Sequence, residues 1–351
     1  MDGVATGPVA NVWVFRVIRA LLDGLRRVLT APALLAGIYF IILLATIPMG
    51  FVLHESIASH LGASVVGDAL ADGVADGWWD EFAAQSSGLE RTFAPSVIGF
   101  AAVLSNLSAI ADGTPPQGAI AALVVVYMLA WVFLVGGVID RLARQRRVTS
   151  AGFFSACGIY FFRFSRLAVL AGLAYWALFG VVHGWLFTDF YSTVIRDITT
   201  ERDAFLLRAV FYAIFGSLLL IVNLIVDYAK IRAVVEDRRS MIGALLASVR
   251  FIRRRPVATV SLYLLNGTVF VLVLAGYALL APGVGTAGPE MWAGFLAGQV
   301  YVIARLVTKL LFYASQISYF QSELAHANYV AAPQPRWPES PAAETIGGVT
   351  S

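Results

Sequence analysis

The run ALLAGIYFIILLATIPMGFVL, Ala33–Leu53, contains no charged residue and no side-chain amide. Wound as a helix at about 1.5 Å per residue, it is long enough to cross ~30 Å of hydrocarbon. A strand of a closed barrel crosses too, but it alternates polar and apolar residues with period two. Leu34–Leu44 shows no such alternation. The run therefore predicts a transmembrane helix, and five others read the same way: Gly118–Ile139, Leu167–Phe187, Ala209–Val226, Val257–Leu280 and Trp292–Phe320. The last exceeds the bilayer, so it tilts or continues as a helix beyond it. The fold class expected is an all-α integral membrane protein with six transmembrane helices.

Composition agrees. Of 351 residues 59% are hydrophobic and 13% charged, against roughly 25% charged in soluble domains. A net charge of +3 and a pI near 9.0 fit loops lying beside anionic lipid, and no nucleic-acid partner is expected. The basic residues comprise 23 Arg and only two Lys, a bias typical of GC-rich bacterial genomes. A single cysteine, Cys157, excludes an internal disulfide and any multi-cysteine metal cluster. Arg16, Arg19, Arg26 and Arg27 precede the first run, as in a signal peptide. The run is too long for one, and Ile47-Pro48-Met49-Gly50 is not a small-x-small cleavage site, so it reads as an uncleaved span.

Arginine placement sets the orientation. The N-terminal segment, the loops Asp140–Arg166 and Asp227–Pro256, and the tail hold 19 basic residues, while the alternate segments hold four, Arg91, Arg196, Arg202 and Arg208. Basic loops stay in the cytoplasm. Both termini are therefore expected inside, in a bacterial inner membrane.

Each inside-to-outside span is introduced by a basic, apolar segment: Val12–Leu29, Gly152–Phe164 and Met241–Ile252. In the first, Trp13, Val17, Ala20, Leu21, Leu25 and Val28 form an apolar stripe at helical spacing, with arginines free to snorkel toward headgroups. The pattern predicts interfacial helices. Phe161–Leu167 aligns with Phe251–Val257, which points to three repeats of interfacial helix plus transmembrane hairpin; shared boundary chemistry would produce a similar look. Outside the membrane, residues 54–117 carry Asp68, Asp72, Asp76 and Asp80 every four residues, then Trp78-Trp79. The apolar Ser96–Ile110 follows, too short to span, and so re-entrant or interfacial. Residues 331–351, with four prolines, are expected to be disordered.

No motif supplies an active site. His54-Glu55 opens like a zinc-protease helix, but His60 is not four residues beyond His54, so the two rings do not share a face. Gly283–Gly288 lacks the Lys-Ser/Thr of a P-loop, and Gly216-Ser217 lacks the surroundings of an intramembrane protease. No metal and no cofactor is implied. Polar residues within the spans are more telling, since each must find a partner or water. Arg305 and Lys309 share one face of the last helix, with Gln299 less than two turns earlier. Asn223 and Asp227 lie one turn apart, and Asn266 is in the fifth span. One reading is a cytoplasm-facing cavity for an anionic substrate or lipid headgroup. The other has both cations snorkelling, one of them paired with Asp227. Arg305 sits too deep to reach water easily, so it is expected to face other helices and touch Asp227, Asn223 or Asn266, or water.

Ala233-Val234-Val235-Glu236-Asp237, Gly243-Ala244-Leu245, Ser248 and Arg250–Pro256 resemble an intracellular loop of small multi-span bacterial proteins. That family includes the membrane domain fused to some glycerophosphodiester phosphodiesterases. The resemblance implies a helical membrane domain and no reaction, because this chain has no phosphodiesterase domain. The function expected is a non-enzymatic membrane-complex subunit, scaffold or lipid-interacting module, with membrane lipids, other subunits or a second copy as partners. The alternative is a small transporter or flippase for an anionic or amphiphilic substrate, and an enzyme of lipid metabolism is a third.

Overall fold

The computed structural model describes residues 9–62, 64, 66–67, 76–87, 99–114, 118–145, 148–280 and 288–326. Every regular element among them is a helix. In chain order these are α1 (Val9–Leu29), α2 (Pro32–Leu61), α3 (Asp76–Gln85), α4 (Gly99–Ala111), α5 (Gly118–Arg144), α6 (Ser150–Trp176), α7 (Glu201–Val235), α8 (Met241–Arg254), α9 (Pro256–Leu280) and α10 (Gly288–His326). Six helical stretches are long and apolar enough to cross a membrane: α2, Val124–Arg144 of α5, α6 with its extension to Val194, α7, α9 and α10. They coincide with the six expected spans. Asp68, Asp72 and the tail 331–351 lie outside the described residues.

Proline decides where the introducing segments break. Pro32 and Pro256 each begin a span. A proline at the first helical turn sacrifices no intrahelical donor, but its ring disfavours helical geometry at the preceding residue. Ala31 and Arg255 accordingly leave helical conformation, with ψ near 53° at both. The second unit has Arg166-Leu167 at the aligned place and no proline, so α6 runs on unbroken from Ser150. Two of the three introducing segments are therefore separate helices and the middle one is not. That rod continues through two wider π-type stretches, Ala177–Val182 and Trp185–Phe190, to Val194.

The likeness among the units extends to their packing. Thr149 caps α6 by accepting from the Gly152 amide, and Ser240 caps α8 by accepting from the Gly243 amide, both at 3.2 Å. Each introducing segment then packs on a neighbouring span: the first half of α6 on α5, α8 on α7, and α1 on α10, the last helix in the chain. Small residues allow the approach. A Cβ on Gly137 would lie 2.6 Å from Cys157 Sγ, and one on Gly24 would lie 2.6 Å from the Ser315 backbone nitrogen.

Apart from the exposed Trp13, the apolar stripe of α1 thus faces protein. Val17, Ala20 and Val28 are buried in the main core with Tyr228, Ile231, Leu262, Ile317 and Phe320. The opposite face of α1 is apolar as well, with Phe15, Ile18, Leu22 and Leu29 exposed beside Arg19 and Arg26. Exposed apolar residues also cover the spans, from Phe51 on α2 to Leu279 on α9. Hydroxyls within the spans donate back to carbonyls one turn earlier, as Ser217 does to Ala213 and Thr268 to Leu264. Internal satisfaction of this kind is what a hydrocarbon solvent demands.

The α4 helix, 13 residues long, is too short to cross. Its end docks on the neighbouring spans: His183 Nε2 lies 2.9 Å from the Ala111 carbonyl, and Tyr212 donates to Asp112 at 2.7 Å. That hydrogen bond, aided by one from Ser108, holds the Asp112 carboxyl below its ordinary pKa.

Candidate functional site

Among the described residues, five of the six polar residues singled out from the sequence have separate hydrogen-bond partners rather than one another. Asp227 accepts from Lys230 at 2.9 Å, three residues on in its own helix, and not from Arg305 or Lys309. Asn223 accepts from Tyr175, Asn266 donates to Ser315 at 2.9 Å, and Gln299 accepts from Tyr39 at 2.6 Å. Arg305 lies on an exposed face of α10, and no hydrogen bond or ion pair joins it to Asp227, Asn223 or Asn266 among the described residues. Of the contacts expected for Arg305, those to the three side chains Asp227, Asn223 and Asn266 are therefore absent among the described residues. Arg305 is exposed although its neighbours Leu306 and Leu310, and Tyr301 one turn earlier, are buried.

A polar chain does connect some of them. Lys230 Nζ reaches the Tyr313 hydroxyl at 3.4 Å, and the Trp131 indole donates to the same hydroxyl at 3.4 Å. Lys309 sits 3.5 Å above the Trp131 ring and donates to the Tyr127 hydroxyl at 2.9 Å. Asp227, Lys230, Tyr313, Trp131, Lys309 and Tyr127 thus link α7, α10 and α5 across the bundle. The aromatic faces give Lys309 a partner in place of a carboxylate.

At the basic end, arginines serve as structural ties. Arg27 donates to Asp23 at 2.8 Å, to the Leu142 carbonyl at 3.1 Å and to Gln321 at 2.8 Å. Gln321 in turn donates to the Ala143 carbonyl at 3.1 Å. Those two carbonyls belong to the last turn of α5, where acceptors lack intrahelical donors. Arg27 is buried, and so it does not snorkel as the sequence suggests. Glu323, its side chain only 4% exposed, accepts from Arg16 at 3.3 Å and also pairs with Arg255. Glu236 pairs with both Arg232 and Arg238, and Arg232 donates further to the Ala247 carbonyl at 3.2 Å.

Between these ties lies a cavity of about 520 Å³. One face of α8 supplies Gly243, Leu246, Ala247, Arg250 and Arg254. Arg232 and Arg238 stand on one side, with Arg255 and Glu323 on the other, over an apolar floor of Phe251, Phe320 and Leu324. Arg232, Arg238 and Arg255 are held by buried carboxylates. Arg250 and Arg254 are exposed, and neither is paired with a carboxylate among the described residues. The sequence reads these arginines as markers of orientation and as anchors of an interfacial helix. The run Arg253-Arg254-Arg255 was visible, but not which guanidinium would be tied and which left to face a cavity.

A second cavity, about 770 Å³, lies among Ser59, His60, Trp78, Glu81 and Gln85. There His60 stands edge-on to Trp78 and Phe82. Among the described residues no group of three or more His, Cys, Asp or Glu could hold a metal.

Apolar spans, inward hydrogen bonding and exposed hydrocarbon-compatible surfaces define a multi-pass helical integral membrane protein. No protein-family model, curated protein or solved structure matches the chain.

Proposed function

We propose that this protein is a non-enzymatic, lipid-interacting module of a bacterial inner membrane, both termini cytoplasmic, whose basic end grips the anionic inner leaflet. The observation that carries this is the two-sidedness of α1 and α8. Each buries one face in the protein and exposes apolar and basic residues together: Phe15, Ile18 and Leu22 with Arg19 and Arg26, and Ile242 and Leu246 with Arg250 and Arg253. A helix with that surface sits where headgroups meet acyl chains, and each cation near an anionic surface contributes about 1 kcal/mol. The resemblance of Ala233–Pro256 to the loop of a membrane-domain family with no established reaction to transfer fits the same reading. The test is reconstitution of the full chain into nanodiscs of anionic or zwitterionic lipid. Melting temperature should be higher in the anionic discs, and the gap should narrow in high salt. Equal melting in both lipids would refute the proposal.

A second reading, a transporter or flippase for an anionic or amphiphilic substrate, draws on the polar chain from Asp227 to Lys309. Lys309 within a span, partnered by aromatic rings, is a cation that a passing anion could engage. Flux of a fluorescent anionic lipid across proteoliposomes, lost in Lys309→Met, would select it over the first.

A further inference from the structure

We infer that the cavity between α8, the inner end of α7 and the inner end of α10 is a discrete binding site for a phosphate group, borne by an amphiphilic lipid or free in the cytoplasm. The inference rests on the lipid-module reading and narrows it from a surface to a site.

Five arginines line the cavity, against one lining carboxylate. Glu323 is already engaged by Arg16 and Arg255, and Glu236, behind the wall, is engaged by Arg232 and Arg238. The tied guanidiniums are fixed in place by buried carboxylates, so their orientation is set before a ligand arrives. Arg250 and Arg254 are not tied. They stand one helical turn apart on the same face of α8, a spacing at which like charges repel. An anion between them and the tied arginines removes that repulsion and accepts from planar donors whose geometry suits phosphate oxygens. Guanidiniums that converge around a space without enough carboxylates to neutralise them are arranged for a ligand carrying more than one negative charge.

The surroundings bear on the source of that phosphate. Leu246 lies on the cavity face of α8 and is 55% exposed, and Ile242, one turn earlier, is 62% exposed. A lipid with its phosphate among the arginines could lay an acyl chain along this edge, whereas free phosphate would use the arginines alone. Phosphatidic acid, whose phosphate is a monoester, presents more charge and more acceptors to the arginines than a phosphodiester carrying a choline cation.

The experiment uses the purified full chain in detergent, titrated with short-chain phosphatidic acid, short-chain phosphatidylcholine and inorganic phosphate, with binding read by calorimetry. The variants are Arg250→Gln/Arg254→Gln in the cavity and Arg166→Gln/Arg239→Gln outside its lining. Both pairs remove two exposed arginines, so bulk attraction falls equally. Saturable binding of phosphatidic acid is expected, stronger than that of phosphatidylcholine, and weakened about tenfold or more by the cavity pair only. If inorganic phosphate saturates the site as tightly as the lipid, the phosphate site stands and its ligand is soluble. If both pairs weaken binding alike, or binding never saturates, the discrete site is overturned. In that case the nanodisc dependence on anionic lipid would remain, and the broader reading with it. Melting curves of both variants, expected to match the parent because all four side chains are exposed, separate lost binding from lost folding.

Discussion

Arg26 and Arg27 are chemically identical neighbours, and replacing each by methionine should have opposite consequences. Arg27 is 7% exposed and donates to the Leu142 carbonyl, to Gln321 and to Asp23. Arg26 is exposed. Methionine matches the length of the arginine stem but donates nothing. In Arg27→Met the Leu142 carbonyl loses its cap at the end of α5, and the amide oxygen of Gln321 loses its donor. Hydrogen bonds from a charged donor contribute about 1.5–3 kcal/mol each. The Asp23 pair, its carboxylate a third exposed, adds a few tenths at most. Asp23 and Gln321 are themselves partly exposed, so the expected loss is about 3 kcal/mol, the low end of two such bonds. Arg26→Met should stay within about 0.5 kcal/mol of the parent. Thermal unfolding of the purified variants in detergent reads this directly: a drop of several degrees for Arg27→Met and no shift for Arg26→Met. Protease cleavage within α1 should rise in parallel only in the first, since Arg27 ties α1 to α5 and α10. Equal behaviour of the two variants would mean that α1 lies loosely on the membrane surface, and the packing described above would be wrong.

Gly24→Leu should destabilise by about 1–3 kcal/mol or more, because its Cβ would enter the backbone of Ser315. Gly158→Leu, with nothing within 4 Å of its Cβ, is the control, and equal melting of the two would count against the α1–α10 contact. In a double-mutant cycle Lys309→Met and Trp131→Phe should couple by about 1–2 kcal/mol, while Arg305→Leu and Trp131→Phe should show no coupling. Coupling to Arg305 instead would mean that the polar chain is misassigned. For orientation, a phosphatase reporter fused after Ser87 or Gly285 should be active, and one after Thr149 or Ser240 silent; activity at Ser240 would reverse the proposed topology.

The six spans and the all-helical class were legible in the sequence, because a run such as Ala33–Leu53 has one stable structure in hydrocarbon whatever surrounds it. Its own backbone satisfies every hydrogen bond. The break before Pro32 and Pro256 and the caps at Thr149 and Ser240, seen first in the structure, have equally local causes. What the sequence left open was which face of each helix meets protein. The stripe through Val17, Ala20 and Val28 reads the same whether it rests on lipid or on α10, and only the approach of Gly24 to Ser315 decides. The same ambiguity attaches to Arg305. Its depth follows from counting residues, but its partners depend on how a 39-residue helix meets its neighbours. Aromatic partners for Lys309 lie 178 and 182 positions away in the chain, at Trp131 and Tyr127. The arginines of the cavity were counted as topology signals because charge is a property of composition. Whether a guanidinium is tied to a buried carboxylate or left facing open space is a property of packing, and packing is long-range.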